Sequence, residues 1–163
     1  MTVDGIRSAS APMSDEGTVA AVPAFNHVGH CVTDIDRSER FYVDVLGFSV
    51  DRSLTVPDDP SAQLLRIAKP VNLTARYLSR DGFVLELMTF DRPGNPPAAA
   101  RVVNEPGLTH MSFCVDDVAA TAARAVEYGG SVLEDTDLGV AVFIRDPDGQ
   151  LIELLPMTYR DWI

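Results

Sequence analysis

The sequence predicts an α+β domain built from two βαβββ modules, and three observations lead there. The segment FNHVGHCVTDIDRSERFYVDVLGFSV, from Phe25, aligns without a gap with LTHMSFCVDDVAATAARAVEYGGSVL, from Leu108, at a separation of 83 positions. A second alignment, at 67 positions, lays DGFVLELM, from Asp81, over DGQLIELL, from Asp148. Within each copy the apolar pattern moves from strand alternation to helical spacing and back to strands. Module 1 is expected over about 24–92 and module 2 over about 107–157, inside one domain spanning 24–163 behind a flexible tail, 1–23. The strands of both are expected to form a curved, partly closed mixed sheet.

Each element has its own signal. The tail is rich in Ser, Ala, Pro and Gly and lacks the apolar run of a secretory signal. Opening strands follow at His27 and His110. Thr33-Asp34 and Val115-Asp116-Asp117 then supply capping side chains for helices whose inner faces carry Phe41, Val45 and Leu46, or Ala122, Ala125 and Val126. Gly47 and Gly130 are expected to stop these helices in a left-handed conformation. The turns SRDG and DPDG join the last two strands of each copy, with glycine available for positive φ. The first copy is longer by 16 residues after Gly47, in DRSLTVPDDPSAQLLRIAKPVNLTA, where extra loop at a pocket mouth is expected.

Composition narrows the function. The 163 residues carry a formal net charge of -11, which repels nucleic acid and anionic membrane surfaces. An anionic substrate therefore needs a local cluster of arginines. No apolar stretch approaches the ~20 residues of a membrane helix, so a soluble protein is expected. Cys31 and Cys114 are too few for a disulfide framework and form no CxxC pair; they are expected as reduced thiols of a cytoplasmic protein.

The chemistry sits in the strands. Residues two apart share a face, so His27, Gly29 and Cys31 oppose Val28, His30 and Val32, and His110, Ser112 and Cys114 oppose Met111, Phe113 and Val115. The apolar set packs under the helix, which leaves His110, and by symmetry His27, on the other side. Glu86 shares a face with Val84 and Met88, in a strand otherwise as apolar as a core strand. A carboxylate in such a place calls for a cationic partner, a metal or a catalytic task. The same residue recurs at Glu153. Alone, either histidine reads as structural and Glu86 as a solvated strand residue; the repetition favours convergence of all four about a pseudo-two-fold axis. Two neutral imidazoles and two carboxylates neutralise a divalent ion, and these ligands suit Zn, Ni, Co, Mn or Fe.

Other conspicuous residues take structural readings. His30 has no counterpart, since Phe113 stands in its place, and it faces the helix side. Cys31 and Cys114 lie ~13 Å along their strands from the histidines and are expected in the core. Asp34, Asp36, Asp116 and Asp117 are explained by helix capping.

At NHVGHCVTDIDRSERFYVDVLGF, GLTHMSFCVDDV and RDPDGQLIELLP, over residues 25 to about 157, the chain resembles the vicinal oxygen chelate superfamily. That superfamily includes glyoxalase I, methylmalonyl-CoA epimerase, extradiol dioxygenases and bleomycin resistance proteins. The resemblance implies the glyoxalase/bleomycin resistance/dioxygenase fold and places His27, Glu86, His110 and Glu153 at its four ligand positions. Both carboxylate places hold Glu, as in glyoxalase I; the family's epimerases often have Gln where Glu86 stands. Their second glutamate is missing from LTVPDDPSAQ, where Asp58 or Asp59 is the substitute on offer.

The implied function is a metal-dependent isomerase or lyase that moves a proton next to a carbonyl, like glyoxalase I or an acyl-CoA epimerase. In the family a divalent metal chelates adjacent substrate oxygens and stabilises an enolate. Glu153 is the expected base, with Glu86 its counterpart. The implied substrate is a small molecule with adjacent oxygens or an acyl thioester. Extradiol dioxygenation and metal-free antibiotic binding are the alternatives. Arg52, Arg66, Arg76 and Arg101 are candidates for holding a glutathione-type thiol, and Tyr77, Leu65 and Met88 are placed equally well in a pocket or in the core. The modules pair within one chain or across a homodimer; the sequence is compatible with either.

Overall fold

The computed structural model describes residues 22–91 and 102–162. The expected tail falls almost wholly outside them, as does Arg101. Strand β1 (Val28–Cys31) leads into helix α1 (Ile35–Arg40), which continues through a wider π turn at Phe41–Val45. Strand β2 (Ser49–Val56), helix α2 (Asp58–Leu65), β3 (Leu73–Arg80) and β4 (Phe83–Phe90) complete the first module. The second runs β5 (His110–Val115), α3 (Val118–Glu127), β6 (Ser131–Val132), β7 (Val142–Arg145) and β8 (Leu151–Pro156). The α+β architecture of two βαβββ modules is present.

The strands make two open four-stranded mixed sheets, ordered β1-β4-β3-β2 and β5-β8-β7-β6. In each, the opening strand runs parallel beside the last strand of its module, with the helix as crossover. This topology brings the opening histidine next to the distant glutamate.

Local chemistry sets the helix ends. The Asp34 carboxylate accepts from the amides of Asp36 and Arg37, and the Asp117 carboxylate from that of Ala120, satisfying donors that a first helical turn leaves free. Gly47 has φ +71°, as expected of a helix stop. In module 2 that role falls to Gly129, at φ +86°, and not to Gly130. Gly130 serves packing instead: a Cβ there would lie 2.5 Å from the Arg145 carbonyl oxygen and 2.9 Å from the Phe41 ring. Val126, expected on the inner face, is 53% exposed because α3 buries only Ala122 and Ala125.

One core joins the modules. Phe41, Tyr42, Leu46 and Phe48 of the first pack with Leu85 and Leu87, and with Ala122, Ala125, Ile144, Ile152 and Leu154 of the second. Each fully buried large apolar side chain is worth roughly 1.5–3 kcal/mol over exposure, so this shared core is the main force docking the modules. Polar ties seal it: Arg124 Nε donates to the Asp44 carbonyl at 2.8 Å, and Asp148 accepts from the Thr33 amide at 3.0 Å and the Ser38 hydroxyl at 3.1 Å.

The extra length of module 1 is ordered structure where loop was expected. It extends β2 to eight residues, against two in β6, and adds α2. Asp58 and Asp59, the offered substitutes for a second base, fasten this insertion. The Asp58 carboxylate accepts the Val71 amide at 3.0 Å, while Asp59 pairs with Lys69 on the surface.

Candidate metal centre

Register puts each histidine beside its glutamate. Gly29 is the partner of Glu86 across β1 and β4, and Ser112 the partner of Glu153 across β5 and β8. His27 and His110 each lie two residues before these partners, on the same face. Leu85 and Leu87, like Ile152 and Leu154, turn into the shared core, so both carboxylates look away from it. Every predicted ligand is thus on the outer face of its sheet.

The two pairs are alike without being identical. His27 Nε2 lies 2.9 Å from Glu86 Oε2, and His110 Nε2 lies 3.9 Å from Glu153 Oε2. About a third of each imidazole is open to solvent, 33% and 31%, so both sites are reachable from outside. With the ring proton on Nδ1, donated to Asn26 Oδ1 at 2.5 Å, the Nε2 lone pair faces the Glu86 carboxylate, which is the tautomer a metal ligand uses. Ligand atoms around a metal with bonds of ~2.0–2.2 Å lie about 3 Å apart, so this pair fits half of a metal shell. His110 Nδ1 is 2.9 Å from Thr109 Oγ1, the corresponding support in module 2.

Among the described residues no group of three or more His, Cys, Asp or Glu comes together as a metal site within this one chain. The four predicted residues therefore stand as His27 with Glu86 and His110 with Glu153.

Each carboxylate has a hydroxyl donor that sequence reading missed. Tyr77 donates to Glu86 Oε1 at 2.6 Å, and Ser112 to Glu153 Oε2 at 2.7 Å. The hydrogen bond to Glu86, followed by burial and by the charge of Glu86, raises the Tyr77 phenol above its ordinary range, against an opposing effect of Arg52. A signal was available: across the two-residue turn at Asp81-Gly82, hairpin counting pairs position 77 with 86. Arg52 lies on the same face, its guanidinium 4.4 Å over the Tyr77 ring. Of the other arginine candidates, Arg76 is tied to Asp36 and Glu39 on the helix side, and Arg66 is the left-handed C-terminal cap of α2. Met88 is half-buried on the ligand face and Leu65 half-buried in α2.

The residues set aside as structural divide differently. His30 turns to the helix side and meets Asp146 Oδ2 at 2.7 Å. Both cysteines are free, but Cys31 is exposed and Cys114 only half-buried, since their strand face is the open one; neither belongs to the core. A cavity of about 750 Å³ lies between β1 and β5, lined by Phe48, Phe83, Met111 and Phe113, with Arg80 and Arg160 at its edge. Of the four predicted ligands only His110 borders it.

The sequence profile described as the Glyoxalase/Bleomycin resistance protein/Dioxygenase superfamily matches residues 24–154. The chain belongs to that superfamily. Both ligand pairs fall inside the matched span. A probable chloroplastic lactoylglutathione lyase of Arabidopsis thaliana is 31% identical over 135 residues, covering 79% of this chain. This superfamily member spans about a third, 34%, of that relative's length. Among solved structures, the trypanothione-dependent glyoxalase I of Leishmania major matches with TM-score 0.60 and 26% identity, over 82% of this chain and 86% of that one. A glyoxalase family protein from Bacillus cereus, 18% identical, shares the fold with TM-score 0.68 over 85% of this chain and 97% of that one. Among the described residues no helix is long and apolar enough to cross a membrane.

Proposed function

We propose that this chain is a metal-dependent lyase or isomerase that moves a proton between positions next to a carbonyl of a small substrate, a lactoylthiol or an acyl thioester. His27 and Glu86 of one protomer and His110 and Glu153 of a second copy would hold one divalent ion, Zn, Ni, Co, Mn or Fe. The observation that carries this reading is the symmetric His/Glu pair, above all His27 Nε2 facing Glu86 Oε2 at 2.9 Å with its other nitrogen already engaged. The separation of the pairs within one chain supports completion by a homodimer, where an isologous interface would bring unlike pairs together twice. The resemblance to lactoylglutathione lyase and glyoxalase I supports the lyase class.

When bound, the metal would supply Lewis-acid polarisation of the substrate's oxygens. The remaining work belongs to the side chains. Glu153 removes the proton from the carbon beside the carbonyl and, for a lyase, returns it to the neighbouring carbon; an epimerase would take its second proton from a group on the opposite face, Glu86. It suits this task because its imidazole neighbour is 3.9 Å away and the carboxylate is 27% exposed, against 12% for Glu86. Glu86, held by the Tyr77 hydroxyl, stays in place.

Elemental analysis of the purified protein beside the His110→Ala/Glu153→Ala variant tests the proposal. A near-stoichiometric divalent metal in the parent that is lost in the variant is expected. No metal in either protein, even after reloading, contradicts it. A second reading, small-molecule binding without a metal, would then lead, on the strength of the apolar cavity between β1 and β5.

A further inference from the structure

Glu86 and Glu153 occupy equivalent strand positions, yet the sheet rows through them differ. In module 1 the row runs Arg52, Tyr77, Glu86, Gly29 across β2, β3, β4 and β1. In module 2 Phe143 takes the place of Tyr77 beside Glu153, and Ser112 that of Gly29. Both rings pack edge-on against the neighbouring imidazole, His27 with Tyr77 at 5.6 Å and His110 with Phe143 at 5.4 Å. The shape of the site is repeated; the phenol hydroxyl is not.

From this we infer that Tyr77 is a positioning residue for the metal centre, acting through Glu86. The inference rests on the metal-centre reading above. The Tyr77 hydroxyl takes up Glu86 Oε1 at 2.6 Å and leaves Oε2 presented beside His27 Nε2. Three contacts hold the phenol in turn: the guanidinium of Arg52 over one face, the edge-on imidazole of His27, and the carboxylate itself. A carboxylate so restrained loses little further freedom when it binds a cation, which raises affinity. Glu153 has no such donor at position 143, and its hydroxyl partner Ser112 binds Oε2, the oxygen facing His110. The pseudo-symmetry of the ligand set is therefore broken by the outer shell. In one half the hydroxyl leaves free the oxygen that faces the histidine; in the other it takes that oxygen.

The experiment is a zinc-affinity double-mutant cycle on the full chain, read by competition with a chromophoric chelator: parent, Tyr77→Phe, Glu86→Ala and the double variant. Tyr77→Phe is expected to weaken zinc binding by ~10- to 100-fold while far-ultraviolet circular dichroism is unchanged. Added to Glu86→Ala, it is expected to change nothing, because its route to the metal is gone. Equal affinity in parent and Tyr77→Phe, or the same loss in both backgrounds, overturns the positioning role. A parent that binds no zinc is a different result: it removes the metal-centre reading and this inference with it.

Discussion

His30 on β1 and Asp146 in the β7–β8 turn, 116 positions apart in the chain, meet with Nε2 and Oδ2 separated by 2.7 Å. The Tyr42 hydroxyl donates to the same oxygen at 2.9 Å, and the amides of Asp148 and Gln150 donate to Oδ1 at 2.9 and 2.8 Å. Asp146 thus shapes its own turn with one oxygen and grips the other module with the second.

That grip has a pH signature. Burial by itself would push the Asp146 carboxyl up, but the hydrogen bond and charge of His30, with the Gln150 amide and the Tyr42 hydroxyl, hold it below the usual carboxylate range. A depressed folded-state pKa contributes stability that is present above the unfolded value of about 3.9 and is lost as pH falls through the folded one. Asp146→Ala should lower stability at neutral pH by about 1–3 kcal/mol, the cost of leaving buried hydrogen-bond donors without their acceptor. Urea unfolding at a series of pH values should show the gap between parent and variant closing below about pH 4. A gap that stays constant down to pH 2 assigns the loss to packing alone.

Gly130 predicts a steric failure at the same module boundary. The Cβ of Gly130→Ala would press on the Arg145 carbonyl oxygen, and on the Phe41 ring that fills the shared core. Neither neighbour is the free end of a flexible chain, so overpacking of roughly 1–3 kcal/mol is expected. At Gly129 a Cβ meets nothing closer than 3.8 Å, and the φ of +86° is the obstacle instead. Thermal unfolding of both alanine variants separates the two causes. The Gly130 variant should be rescued in part by trimming Phe41 to Leu; the Gly129 variant should not.

Much of this arrangement was legible because the sequence repeats. Alternation assigned His27, Glu86, His110 and Glu153 to their faces, and the capping roles of Asp34 and Asp117 followed from composition at the helix starts. Periodicity reports which way a side chain points within its own module and is silent on how modules dock. His30 was legible as facing the helix and illegible as the partner of Asp146, since a contact across the chain leaves no local pattern. The insertion after Gly47 reads as loop because Pro57, Asp58, Asp59 and Pro60 are turn formers, yet proline is accepted in the first turn of a helix and α2 begins there. Cys31 and Cys114 read as core because they stand ~13 Å along their strands from the histidines, but the strand face they share with those histidines is the exposed one.

In the proposed enzyme two half-sites on different protomers make one metal centre, and subunit complementation tests that arrangement most directly. One variant carries His27→Ala and Glu86→Ala, the other His110→Ala and Glu153→Ala. Neither alone should retain metal. Unfolded together and refolded as an equal mixture, they should form mixed dimers in which one of the two sites is intact, recovering about a quarter of the parental metal by statistical pairing. Recovery near that level, tracking the mixed dimer on gel filtration, is the predicted result. A refolded mixture as free of metal as its parents, although it contains the mixed dimer, contradicts that arrangement.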